Sequence, residues 1–108
     1  QATALFQESL AAFRKLGNKR GMAECLAGLA AVSSNPARGV LLLSAATAQM
    51  ASSGAAWWPA DRVEIERTRT KLQATIGHED FDRLWEQGQL LSLDEGINLA
   101  TTMEGPPQ

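Results

Sequence analysis

His78 is the single imidazole of the 108-residue sequence, and it opens the run HEDFD beside Glu79, Asp80 and Asp82. An imidazole among carboxylates is a donor set for a metal ion or for general acid–base catalysis. Here, however, four near-consecutive residues would have to converge on one point, whereas metal sites take ligands from separated positions. Carboxylates are also favoured in the first turn of a helix, where they face the positive end of its dipole, and that reading accounts for all three acids. Cys25, the lone cysteine, has Ala23, Leu26 and Leu29 about it on an apolar helix face, the setting of a small buried thiol rather than of a nucleophile. Without a second histidine, neither Ser-His-Asp nor Cys-His chemistry has its base. No G-x-x-x-x-G-K-[ST] run is present to cradle a nucleotide phosphate. The expectation is of no enzyme: no catalytic, cofactor-binding or metal-ligating residues and no cofactor, with a hydrolase or transferase ranked last.

Two groups remain that could make contacts. Trp57 and Trp58 stand between a small-residue run and Pro59. Adjacent residues of an extended linker point to opposite sides, so one ring is expected to pack against the third and fourth helices and the other to face outward as an interface anchor. Arg14, Lys15, Lys19 and Arg20 gather around a helix end and a turn, where cations complement the dipole and could receive an acidic partner.

These residues need a scaffold, and composition indicates which kind. Alanine and leucine dominate, tyrosine is absent and β-branched residues are sparse, which favours helix. Net charge is −2 and basic residues are not densely clustered, so the chain itself is expected not to bind nucleic acid. Residues 39–60 carry no charge at all. They are too rich in serine, threonine and glutamine for a membrane span, so a helix surrounded by helices is expected there, and no membrane partner. A single cysteine and the absence of a signal-like start make a cytoplasmic protein the expectation. A start already in helical register is expected of a piece of a longer chain.

Periodicity and punctuation divide the sequence into six helices. The first, from Ala2 to Leu16, repeats Leu5, Phe6, Ser9/Leu10, Phe13 and Leu16 at three and four and ends at Gly17-Asn18. The second, Lys19 to Val32, presents Met22, Cys25, Leu26, Leu29 and Val32, and must return antiparallel after so short a turn. Asn35 caps a third with Pro36 as its first residue, and Gly54 ends it. Pro59 opens a fourth with a sparse stripe of Val63, Ile65, Leu72 and Ile76, and with Glu64–Arg67 and Glu66–Arg69 pairings. Gly77 separates it from a short fifth helix showing Phe81, Leu84 and Trp85, closed by Gly88. Ser92 and Glu95 form a capping box for the sixth, and the tail 104–108 is expected to be disordered.

Within this all-α pattern, Ala2, Phe6, Ser9 and Leu10 have the offsets of the second helix of a tetratricopeptide repeat. Leu26, Leu29 and Ala30, then Gly39, Leu43 and Ala46, stand for the next pair. Together with the ordered set Gly77, Phe81, Trp85, Gly88, Leu91 and Ser92, nearly the whole chain resembles the C-terminal end of large bacterial regulators. These combine an ATPase module, a tetratricopeptide-like array and often a LuxR-type output domain. Gly96, where that family usually has alanine, and the aromatic AAWWP linker depart from the pattern. The resemblance implies tetratricopeptide-like antiparallel pairs over residues 1–56 and capping helices over 57–103, in one domain. It also implies a bacterial regulatory scaffold acting through protein contacts, either with other modules of a parent chain or with another protein. The alternative is a sensor in which Trp57, Trp58 and the third helix line a pocket for a small apolar inducer.

Overall fold

A computed structural model describes residues 2–54 and 56–101; the tail expected to be disordered lies outside them. Among the described residues there are six α-helices and no strand: α1 (Ala2–Leu16), α2 (Lys19–Val32), α3 (Pro36–Ser52), α4 (Pro59–Ile76), α5 (His78–Gln89) and α6 (Leu93–Thr101). No helix among them is long and apolar enough to cross a membrane.

The boundaries follow local chemistry. Asn18 accepts a hydrogen bond from the Gly21 N–H at 2.9 Å, and Asn35 one from the Arg38 N–H at 3.2 Å, each satisfying a donor that the first helical turn leaves free. Ser92 and Glu95 bond reciprocally, at 2.8 Å and 3.1 Å, as a capping box requires. Gly77 adopts φ +90, which side chains with a Cβ rarely enter, and so turns α4 into α5 without an intervening loop.

α1 and α2 lie side by side, antiparallel. The Phe13 ring covers Gly21 and the Phe6 ring covers Gly28, so closely that a Cβ at either glycine would overlap the ring. The charge-free α3 is central, packed on α2, α4, α5 and α6. Its Val40, Leu42, Leu43, Ala45 and Ala46 are all buried, which explains why leucines pointing in several directions need no charged face among them.

Four details differ from the sequence reading. Leu5 and Leu16 are 63% and 77% exposed, because α1 packs mainly on α2, with a smaller contact to α6, and a narrow strip of Phe6, Leu10 and Phe13 fills that contact. Val32 and Val63 are exposed as well, Val32 at the lining of a cleft between α2 and α4. Gly88 does not end α5; it lies buried inside it, against Ser44. Arg69 turns from Glu66 and places its guanidinium 4.6 Å from the Trp85 ring centroid, over an aromatic pair in which Phe81 and Trp85 stack at 5.5 Å.

Candidate functional site

α2 reaches the segment between α3 and α4 through Arg20. Arg20 donates from Nη2 to the Ala56 carbonyl at 2.6 Å and sets its guanidinium 5.0 Å from the Trp58 ring centroid. Its Nη1 lies 3.6 Å from Glu24 and is buried without a hydrogen-bond acceptor. Trp57 turns inward and is half-buried against the core, whereas Trp58 is 62% exposed beneath Arg20.

Trp57 lines a cleft of about 370 Å³ between α2 and α4. Phe6, Ala27, Leu43 and Ile65 supply its apolar wall, and Glu24, Asp61 and Glu64 its charged groups. The volume lies in the range of small-ligand sites, and an apolar lining with a few polar groups is their usual composition. Trp57 also lines a smaller cavity of about 190 Å³ with Met50 and Arg62. Trp58 is not part of the cleft, and the third helix adds only Leu43 to it.

The four basic residues do not act as one patch. Arg14 reaches Asp94 at the start of α6, 3.6 Å away, and with Lys15 borders a second cleft of about 420 Å³ between α1 and α6. There Gln7 donates to the Ala100 carbonyl at 3.1 Å. Lys19 is exposed, and Arg20 serves the linker.

The residues considered for chemistry are placed apart from both clefts. His78 is exposed, with its Nδ1 3.2 Å from the Gln73 amide nitrogen. Among the described residues no three His, Cys, Asp or Glu side chains gather as a metal site would require. Cys25 is buried; burial first, then the neighbouring Glu24 carboxylate, pushes its thiol up to about 11, so it is protonated at neutral pH.

Sequence reasoning missed Glu24, Asp61 and the cleft role of Glu64, which it placed only in a pairing with Arg67. A signal existed: Asp61, Glu64, Ile65 and Thr68 fall on one helical stripe, as do Glu24, Ala27, Gly28 and Ala31. Only the packing of α4 beside α2 makes those stripes face each other.

No protein-family model matches the chain, and no solved structure matches it. Proteins from Mycobacterium bovis and from two strains of Mycobacterium tuberculosis, whose names describe them as HTH-type transcriptional regulators, are 37% identical to it over 82 residues. That alignment covers 76% of the chain but only 9% of each relative. Helix-turn-helix motifs bind DNA; the name says this of the relatives, of which the alignment covers 9%. Over most of its length the chain is thus similar to a short segment of these mycobacterial HTH-type transcriptional regulators.

Proposed function

We propose that the chain is a non-catalytic interaction segment of a larger bacterial transcriptional regulator, continuing a tetratricopeptide-like helical stack. The observation that carries this reading is the uncovered flank of α1. Leu5, Ser9, Ala12 and Leu16, spaced four, three and four residues apart, form one exposed stripe of apolar and small side chains. In a stack of helix pairs, such a stripe is the surface against which a neighbouring helix rests. At the other side of α2, α3 is closed off by α4, α5 and α6, the role of a terminal cap in repeat proteins.

DNA contact is assigned to other parts of such a regulator. α1 and α2 run side by side with Phe6 on Gly28 and Phe13 on Gly21, unlike the crossing of about 90–120° in a helix-turn-helix pair. The proposal is tested with Leu5→Glu/Leu16→Glu in a regulator carrying this segment. Both side chains are exposed, so the isolated chain should melt at its original temperature while the regulator loses solubility or changes its transcriptional output. Unchanged solubility and unchanged output would overturn the reading.

A second reading, a small-molecule sensor, is favoured by the cleft that Trp57 lines. A ligand bound there would raise the melting temperature in proportion to the logarithm of its concentration above Kd.

A further inference from the structure

The cleft is electrostatically one-sided. Its charged side chains are the carboxylates of Glu24, Asp61 and Glu64, and among the described residues no cation lines it. Glu24 has Arg20 at 3.6 Å and Glu64 has Arg67 at 2.8 Å, both guanidiniums reaching in from outside the lining. Asp61, half-buried in the first turn of α4, has neither a hydrogen bond nor an ion pair among the described residues. Three carboxylates against two guanidiniums leave one negative charge in excess, at Asp61. On the same residue stretch, Trp57 presents an aromatic ring to the cleft.

Resting on the sensor reading above, we infer that the ligand of this cleft is a small organic cation: an ammonium head beside Asp61 and Trp57, with an apolar body along Leu43, Ile65 and Phe6. A neutral apolar molecule would fill the same wall but give the Asp61 carboxylate no counter-charge beyond the N-terminal dipole of α4. An anion would meet three carboxylates. An ammonium group gains from the carboxylate and from the negative face of an indole together, and that combination favours a cation over a neutral isostere. A volume of about 370 Å³ holds a single aromatic or branched-alkyl body with its head group.

The probes are benzyltrimethylammonium and its uncharged isostere neopentylbenzene, titrated into the intact chain labelled with nitrogen-15. The indole N–H resonances of Trp57, Trp58 and Trp85 are assigned by single Trp→Phe variants. The expected result is saturable movement of the Trp57 indole signal by the cation, with Trp85 unmoved and the neutral isostere at least about tenfold weaker. Asp61→Asn should weaken the cation by a similar factor, and Glu66→Gln, on a residue outside the cleft, should not. Equal binding of both probes, or full affinity in Asp61→Asn, would overturn the cation assignment while leaving a ligand cleft. Binding of neither probe would overturn both.

Discussion

Ser44 of α3 and Gly88 of α5 are in direct contact: a Cβ at position 88 would lie 2.5 Å from the Ser44 Cβ and 2.9 Å from the Leu41 carbonyl oxygen. Around this point Ser44 Oγ donates to the Trp85 carbonyl at 2.5 Å, and the Gln89 amide donates to the Ser44 carbonyl at 3.0 Å. The fully buried hydroxyl is therefore satisfied, and α5 approaches α3 as closely as a bare glycine permits. Gly88→Ala should destabilise the fold by about 1–3 kcal/mol through overpacking, even though alanine is the better helix former. Urea unfolding followed by circular dichroism measures the difference; a stabilised variant would mean that the two helices stand further apart.

Arg69, Trp85 and Phe81 make a layered stack on the α4–α5 face. Removing the cation in Arg69→Ala should cost about 0.5–1 kcal/mol, the size of an exposed cation–π contact. A double-mutant cycle with Trp85→Leu isolates the term, and additivity of the two single losses would show that the stack contributes nothing.

Cys25 supplies a pH dependence of defined sign. Its folded thiol is raised from the usual 9.0 to about 11, chiefly by burial, so between these values the folded chain holds a proton that the unfolded chain has lost. The contribution to stability is present below about pH 9 and falls away as pH rises towards 11. Urea midpoints across that window should decline less steeply in Cys25→Ala than in the parent chain. Alkylation by iodoacetamide at pH 7 should be slow until urea unfolds the chain.

In the Trp85→Phe variant only the two linker rings emit. Acrylamide quenching should resolve a shielded component from Trp57 and an accessible one from Trp58, and Arg20→Met should make the quenching more uniform by releasing the Ala56 carbonyl and the Trp58 ring. A single quenching constant in the parent variant would contradict the opposed orientation of the rings.

The capping box sets the start of α6. Ser92→Ala removes the bond to the Glu95 N–H and should cost about 1 kcal/mol. Hydrogen exchange should show this as faster opening of α6 residues, with α2 and α3 unaffected.

The six helices were legible in the sequence because each boundary is a local event. Asn18, Asn35 and Ser92 bond to N–H groups within three residues, and Gly77 needs only its own backbone freedom. The burial of α3 was equally legible, since 22 consecutive uncharged residues leave no face suited to water. Which of two adjacent tryptophans turns inward was not, because Trp57 and Trp58 have the same chemistry and only Arg20, 36 residues before the carbonyl it grips, distinguishes their sides. The solvation of Leu5 and Leu16 and the meeting of Glu24 with Asp61 and Glu64 likewise depend on which helices lie beside α1 and α2. Periodicity describes one helix at a time. The partner of each face is chosen by packing between distant segments, and that choice created the cleft.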